Sequence, residues 1–267
     1  MTEIRAAALV QRRLWGTNPR AWAQLAESHN APLFEAVLEA AAVGPGCRIL
    51  DVGCGSGLAL VLAGRRGASL NGIDISAGLL GIARERCPEA DLREGDMEQL
   101  PFASDEFDAV VGINAFQFAG DPMHALREAG RVVRPGGRVV ASLFAAPERS
   151  EGTVAHEAMS ALVPPDTEAD HAPYLLSAPG NLEAGMVAAG LSVEADGEVV
   201  CVWRYDCMND AVLGLLASAG GARASEAAGS QRVAAVLRDA LAPFQAETGE
   251  VSLTNTFRWV TAVRPRE

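Results

Sequence analysis

A glycine-rich segment at residues 51–57, with the sequence DVGCGSG, joins the short apolar run 48–52 to a helical pattern over 58–66. A strand that turns through such a loop into a helix presents open N–H groups and the positive end of the helix dipole to a ligand. The glycines leave the ligand room to reach the backbone. Their Gly-x-Gly-x-Gly spacing differs from the Gly-x-Gly-x-x-Gly that seats a dinucleotide pyrophosphate. The loop therefore predicts a nucleotide-like ligand and disfavours NAD.

Strand and helix patterns alternate on both sides of this loop. Apolar runs typical of buried strands lie at 48–52, 70–75, 108–113 and 138–144, and helical patterns lie at 58–66, 79–87 and 123–133. This alternation predicts a parallel sheet with helices on both faces. Further along, the sequence predicts a helix over 182–189, a strand over 191–203 that is broken at Asp196-Gly197, and a last strand over 251–263.

The length of 267 residues and the hydrophobic content of 49% predict one domain with additions. We expect four parts, namely an N-terminal helical cap segment over 1–43, a ligand-binding core over 44–146, a lid insertion over 147–179, and a C-terminal continuation of the same domain over 180–267 with a helical insertion at 207–246. The lid is richer in proline and polar residues and includes an expected helix over 157–163.

The charge balance argues against nucleic acid and anionic membranes as partners. Lys and Arg total 22 against 34 Asp and Glu, so the net charge of −12 repels phosphate backbones. There is no pattern of a signal peptide and no run of about 18 uncharged apolar residues. The five cysteines form no Cys-x-x-Cys pair, which argues against disulfides and a thiolate zinc site. We therefore expect a cytoplasmic protein without a metal, monomeric or homodimeric, that acts on a small molecule.

Asp74 ends the second predicted strand, shortly after the glycine-rich loop. A carboxylate at this point can accept hydrogen bonds from both hydroxyl groups of a ribose. The alternative is an exposed aspartate at the end of a strand. Because the loop precedes it, we favour the ligand role.

Four sequence blocks recur in an order that a known family shares. They are ILDVGCGSG at 49–57, GIDIS at 72–76, EGDMEQLPF at 94–102 and EAGRVVRPGGR at 128–138. They cover about residues 45–145 and closely resemble class I S-adenosylmethionine-dependent methyltransferases, in the branch similar to the ubiquinone and menaquinone biosynthesis enzymes (methyltransferase type 11 domain). The resemblance implies a Rossmann-like α/β fold with a seven-stranded mostly parallel sheet, an antiparallel last strand, helices on both faces and a helical cap. It implies S-adenosylmethionine as cofactor and S-adenosylhomocysteine as product.

Carried over residue by residue, the resemblance assigns the methionine end of this cofactor to the first block. Gly53, Gly55 and Gly57 would shape the loop, which includes Cys54, around the methionine moiety. Asp51 would help to hold the ammonium group.

The same resemblance assigns the rest of the cofactor to the later blocks. Asp74 would bind the ribose, and Asp96 would accept a hydrogen bond from the adenine amino group. Met97 would give a backbone contact and Ile75 would pack on the adenine ring. Asn114 would face the methionine moiety and the transferring methyl group.

Methyl transfer to a nucleophile mainly needs alignment and exclusion of water, so a general base is optional. His29, His156 and His171 are the candidates for such a base, because their segments would cover the carboxyl ends of the strands, where ligands bind in these sheets. None of them stands in a motif, and a structural or solvated role is the alternative for each. The candidates for the walls of a substrate pocket are Trp15, Trp22, Phe116 and Phe118. For the tryptophans, packing in the core is the alternative.

These features predict an S-adenosylmethionine-dependent methyltransferase that acts on an oxygen, nitrogen or carbon atom of a small molecule. A second hypothesis is an enzyme that binds the same cofactor and catalyses a non-methylating reaction such as cyclisation or decarboxylation, since its cofactor motifs would look the same. A third is an NAD-binding oxidoreductase, which the glycine spacing and the block at 94–102 disfavour.

Overall fold

The computed structural model describes residues 5–165 and 176–266, and a seven-stranded sheet lies at its centre. The strands are β1 Arg48–Val52, β2 Ser69–Asp74, β3 Asp91–Glu94, β4 Phe107–Ile113, β5 Val133–Phe144, β6 Ser192–Tyr205 and β7 Val251–Val263. Their order is β3-β2-β1-β4-β5-β7-β6, with β1 to β5 parallel and β7 antiparallel to both of its neighbours. The predicted fold class is confirmed.

Helices cover both faces of this sheet. Among the described residues they are α1 Ala6–Trp15, α2 Pro19–Leu25, α3 Ala31–Ala40, α4 Leu58–Arg65, α5 Ala77–Arg86, α6 Pro122–Val132, α7 Thr153–Ser160, α8 Asn181–Ala188, α9 Met208–Leu216, α10 Ala219–Ala228 and α11 Ser230–Leu241. None of these described helices combines the length and the apolar composition needed to cross a membrane.

Two apolar cores sandwich the sheet because successive side chains of a strand point to opposite faces. In β4, Val111 packs into the core that α3 and α4 cover, and Val110 packs into the core that α6 and α8 cover. The central strands β1, β4 and β5 are therefore apolar on both sides, as their sequence indicates. The polar ends of the strands are left to form the edges of the sheet.

Helix starts place the loops at the carboxyl edge of the sheet. The hydroxyl of Ser76 accepts a hydrogen bond from the N–H of Leu79 at the start of α5, and the Asp121 carboxylate accepts one from His124 at the start of α6. Such side chains satisfy N–H groups that have no partner inside the helix. The loops that follow β2 and β4 are fixed in this way.

Two local expectations are wrong, and one strand, β3, is not predicted at all. Strand β6 runs without interruption through Gly197, because the Trp259 ring of β7 fills the space there and a Cβ would lie 2.5 Å from it. The residues of β3 are polar and partly exposed, so they give no strand pattern. The helix expected at 157–163 lies at Thr153–Ser160.

The predicted cap and insertion segments meet above the carboxyl edge. Helix α3 packs directly on the sheet, whereas α1 contacts α10 and α2 contacts α9. Helix α7 packs against α10 and α11, so the segment 207–246 joins α1, α2 and α7 in one roof. Part of the expected lid, with His171, lies outside the described residues. The division into four parts stays a prediction.

Candidate active site

A cavity of about 700 Å³ lies under this roof, at the carboxyl edge of the sheet. Its floor consists of the residues that end β1, β2, β4, β5 and β6 and of the loop that follows β3. Helices α1, α2, α3, α7, α9 and α10 supply most of its other walls. Open α/β sheets bind their ligands at this edge.

The glycine-rich loop forms one wall of the cavity. The N–H groups of Gly53 and Cys54 both donate to the carbonyl oxygen of Ile73, which holds the loop against β2. Gly53 has a φ of +75°, and a Cβ there would lie 2.6 Å from the Cβ of Ala115. Only glycine fits this position.

The three glycines of the loop do not share one role. Gly53 and Gly55 line the cavity, as does Cys54. Gly57 does not line it but starts α4 with a φ of +85°, where a Cβ would lie 3.0 Å from the Cβ of Ala83 on α5. The structure therefore places Gly57 behind the loop, where it allows α4 and α5 to approach each other.

Asp74 stands at the end of β2 with both carboxylate oxygens held by backbone groups. One oxygen accepts from the N–H of Gly55 and the other from the N–H of Ser76, both at 2.8 Å. Burial raises the pKa of Asp74 to about 6, although these hydrogen bonds oppose the shift. The carboxylate is rigidly placed in the cavity wall.

Asp51, at the carboxyl end of β1, is buried in the same wall. Burial, together with the negative charges of Asp74 and Glu27, raises its pKa to about 8. A carboxyl group in this state is stabilised in its charged form by a nearby cation. This end of the cavity is therefore suited to a positively charged ligand group.

Glu27 is a site residue that sequence reasoning missed. It lies in a short 3₁₀ helix, Glu27–Asn30, and lines the cavity although its side chain is buried. Its carboxylate forms an ion pair with Arg86 and accepts from the N–H of Leu58 at 3.3 Å. No local pattern marks this acid, because its partners come from distant parts of the sequence.

The loop after β3 supplies the next part of the wall. Asp96 and Met97 line the cavity, opposite Ile75 from the end of β2. One Asp96 oxygen accepts from the N–H of Glu98 at 2.9 Å, which fixes the turn. The residues predicted for the adenosine end therefore lie together.

Asn114 follows β4 and also lines the cavity. It adopts a φ of +51°, which is uncommon for a residue with a side chain and frequent at functional sites. Its N–H donates to the Ser142 hydroxyl at 3.1 Å, but its side-chain oxygen is buried without a partner among the described residues. The side-chain oxygens of Gln11 and Gln117, in the same cavity, are in the same state. Such acceptors suit a ligand that donates hydrogen bonds.

Three of the four predicted aromatic residues line the cavity. Trp15 packs edge-on against Trp22 and Phe118, with ring centroids 5.0 and 5.6 Å apart. The prediction for Phe116 is wrong, because its ring is 1% exposed and fills the core beside Gly112. A Cβ on Gly112 would lie 2.3 Å from this ring.

Of the two candidate histidines among the described residues, one lines the cavity and the other does not. His156 on α7 lines the cavity and packs edge-on against Phe144, with centroids 5.6 Å apart. His29 does not line the cavity, since its Nε2 lies 2.8 Å from the Arg204 carbonyl oxygen and its ring packs on Tyr205. Surrounding protein lowers the pKa of both imidazoles. His29 therefore fits a structural role.

Comparison with known proteins agrees with this arrangement. Residues 50–141 match the family model of a methyltransferase domain, Methyltransf_11. The chain is 36% identical over 141 residues to the uncharacterized protein Rv1405c of Mycobacterium tuberculosis, covering 51% of each chain. It is 38% identical over 117 residues to demethylmenaquinone methyltransferase of Mycolicibacterium paratuberculosis, covering 43% of this chain and 50% of that one. The chain thus spans about half the length of these curated relatives.

Solved structures share the fold over most of the chain. The [4+2]-cyclase SpnF matches with a TM-score of 0.59 at 20% identity, covering 98% of this chain and 94% of that one. Geranyl diphosphate C-methyltransferase from Streptomyces coelicolor, in complex with Mg²⁺, geranyl diphosphate and S-adenosylhomocysteine, matches with a TM-score of 0.58 at 14% sequence identity. This match covers 98% of this chain and 100% of that one. Together with the match of residues 50–141 to a methyltransferase domain, these findings confirm the predicted resemblance to class I methyltransferases.

Proposed function

We propose that this protein is an S-adenosylmethionine-dependent methyltransferase that acts on a small molecule. The observation that carries the proposal is the row of three acids, Asp51, Asp74 and Asp96, which line one cavity at the ends of β1, β2 and β3. These strands are neighbours in the sheet, and each acid lies two positions further along the register than the acid before it, so the three acids form a slanted row across the edge. An elongated ligand with an ammonium group, a ribose and an amino-bearing base suits this row.

Each acid has free capacity for its part of the ligand. Asp51 would pair with the ammonium group, which favours the charged form of a carboxyl group whose pKa burial and the neighbouring acids raise. Each Asp74 oxygen accepts one backbone hydrogen bond and has a second lone pair for a ribose hydroxyl. The second oxygen of Asp96 would accept from the base.

The bound cofactor would supply an electrophilic methyl group on a positively charged sulfur. The residues of this chain would orient the acceptor and exclude water from the site. Asn114 would face the methyl end, because it follows β4, the strand next to β1. We further propose that the protein works in the cytoplasm, in small-molecule or natural-product metabolism, as a monomer or homodimer. The net charge of −12 supports a role without nucleic acid.

Calorimetric titration with S-adenosylmethionine, S-adenosylhomocysteine and NADH tests the cofactor. We expect saturable binding of the first two and none of NADH, and binding of NADH alone would overturn the proposal. Asp74→Ala should weaken binding at least about 10-fold, or about 1.4 kcal/mol. Asp239→Ala, which removes an exposed acid of α11, is the control and should leave affinity unchanged. Incubation with cell extract and labelled S-adenosylmethionine then separates methyl transfer from a non-methylating reaction.

A further inference from the structure

We propose that the part of the cavity below α7 binds an uncharged apolar acceptor with a ring hydroxyl group, and that His156 takes the hydroxyl proton during methyl transfer. This proposal rests on the proposed function and deepens it. We name this part the acceptor chamber, and it is lined by Phe34, Phe144, His156, Met159, Trp203 and Tyr205.

The acceptor chamber lies beyond the residues assigned to the cofactor. Asp74 ends β2 and Trp203 lies near the end of β6, and these two strands are five positions apart in the sheet. At about 4.8 Å for each strand spacing, the cavity extends about 24 Å along the edge. The row of acids occupies the side of β1 to β3. The side of β5 and β6 is left for a second molecule.

The chamber offers a second molecule mostly apolar contacts. The rings of Phe144 and Trp203 pack edge-on, with centroids 6.0 Å apart, and Met159 lies beside them in the cavity wall. The indole N–H of Trp203 donates to Asn30 at 3.0 Å, so it is already satisfied. Burial raises the pKa of Tyr205, which keeps its phenol neutral. A charged acceptor would lose its hydration here without gaining a partner.

Charged groups elsewhere in the cavity do not offer a partner to a charged acceptor in the chamber. Glu27 is paired with Arg86, and Arg223 on α10 is engaged in an interaction of its own. Asp51 and Asp74 lie at the cofactor end. The chamber side is therefore selective for a neutral molecule.

His156 is positioned to accept a proton in this chamber. In the part of the chain that the structure describes, its imidazole makes no hydrogen bond, and the ring is exposed to the cavity. It packs on Phe144, two residues after the Ser142 whose hydroxyl holds Asn114. His156 thus packs beside the end of β5, the strand that also holds Asn114, near which the methyl group would lie. Surrounding protein lowers the pKa of His156, so the imidazole is neutral at pH 7 and can act as a base.

The cofactor, the acceptor hydroxyl group and His156 together account for every bond and proton in the methyl transfer. The acceptor oxygen forms a bond to the methyl carbon while the carbon–sulfur bond breaks, and the electron pair of that bond stays on sulfur. The hydroxyl proton moves to the free imidazole nitrogen of His156. The positive charge that leaves sulfur thus ends on the imidazolium, which afterwards releases the proton to water. The product is a methyl ether.

Three naphthalenes probe the chamber by calorimetry, with and without saturating S-adenosylhomocysteine. They are 2-naphthol, 2-methoxynaphthalene, which has no proton to donate, and the anion 2-naphthoate. We expect 2-naphthol to bind at least about 5-fold more tightly than 2-methoxynaphthalene, and 2-naphthoate not to bind. His156→Phe keeps the aromatic packing and should abolish the preference for 2-naphthol. His124→Phe, an imidazole of α6 outside the cavity, should preserve it.

Turnover gives a second readout. With 2-naphthol and S-adenosylmethionine, His156→Phe should lower kcat at least about 100-fold with a smaller effect on KM, and should remove the acidic limb of the pH profile. Tighter binding of 2-naphthoate, absence of binding by all three probes, or an unchanged pH profile would overturn the proposal. If S-adenosylhomocysteine itself does not bind, the proposed function fails instead, and the titrations without it still test the chamber.

Discussion

The guanidinium of Arg86, at the end of α5, forms an ion pair with the carboxylate of Glu27 in the wall of the cavity. The same guanidinium donates to the carbonyl oxygens of Ser56, at 3.0 Å, and Ala23, at 3.2 Å. One cation therefore joins the N-terminal segment, the glycine-rich loop and α5. Because the Glu27 side chain is only 5% exposed, its carboxylate has little contact with water, and Arg86 is the cation that stabilises it.

Loss of Arg86 should therefore destabilise the protein strongly. We expect Arg86→Met to lower the free energy of unfolding by about 3 kcal/mol, because it leaves a buried carboxylate unpaired. Arg20→Met, which removes the exposed ion pair with Glu85, should cost less than about 1 kcal/mol. Urea denaturation followed by circular dichroism measures both values. Equal losses in the two variants would show that the burial of Glu27 does not matter.

Binding of a ligand with an ammonium group should release a proton from Asp51. With a pKa of about 8, this carboxyl group is mostly protonated at pH 7 in the empty protein, and a cation beside it favours the ionised form. Titration of S-adenosylhomocysteine in buffers of different ionisation enthalpy should show release of most of one proton at pH 7 and much less at pH 9. Asp51→Asn should remove the release. Enthalpies that do not depend on the buffer would contradict this assignment.

Asp51 should also make the ligand-free protein less stable as the pH rises. Its pKa is raised from 3.8 to about 8, so the native state binds more protons than the unfolded state between these values. The free energy of unfolding therefore falls with rising pH across this window. Thermal or urea unfolding of wild type and Asp51→Asn between pH 5 and pH 9 isolates the effect. The variant should gain stability relative to wild type as the pH rises, and a constant difference would exclude the raised pKa.

A methyl group at Gly53 should distort the loop. Gly53→Ala would place a Cβ 2.6 Å from Ala115, in a left-handed conformation that already costs about 1 kcal/mol for alanine. We expect S-adenosylhomocysteine to bind at least about 10-fold less tightly. The control is Gly46→Ala, which has a φ of +79° and no atom within 4 Å of the new Cβ. The control shares the strain but lies outside the cavity, so its affinity should stay within about 2-fold of wild type.

The N-terminal segment should divide functionally between α1 and α3. Removal of residues 1–17 takes away α1, which covers the cavity, and should reduce turnover more than affinity for S-adenosylhomocysteine. Removal of residues 1–43 also takes away Leu33, Val37 and Leu38, which are fully buried against the sheet, and should abolish cooperative unfolding. Urea titrations and calorimetry compare the two truncations. A cooperative transition in the longer truncation would show that α3 is dispensable.

The sequence predicts those parts of the fold whose conformation is set by residues that are neighbours in the chain. The loop around Gly53 is visible because a strand, three glycines and a helix adjoin in the chain. Asp74 is found because it ends a predicted strand shortly after this loop, whereas Asp96 is assigned only through the resemblance that the block at 94–102 carries. β3 is missed because an edge strand with polar residues shows no alternation.

Features that depend on distant contacts are not visible in this way. Glu27 becomes a site residue only because Arg86, 59 residues away, turns toward it. Phe116 has the composition of a pocket wall, and only the missing side chain of Gly112 directs its ring into the core. Gly197 has the composition of a strand break, but the Trp259 ring packs over it, so the strand continues through this position.

The connection between β6 and β7 begins and ends at one pair of residues that face each other in the ladder, Tyr205 and Val251. Helices α9, α10 and α11 therefore form an insertion at the end of the β6–β7 hairpin. Helices α9 and α10 contribute to the walls of the cavity. Hairpin ends tolerate insertions of almost any length at little entropic cost. This arrangement allows the contiguous stretch 207–246 to change without a change in Asp51, Asp74 or Asp96 on the far strands. Grafting of the corresponding stretch from a protein of the same fold onto this sheet would make use of the same modularity in the laboratory.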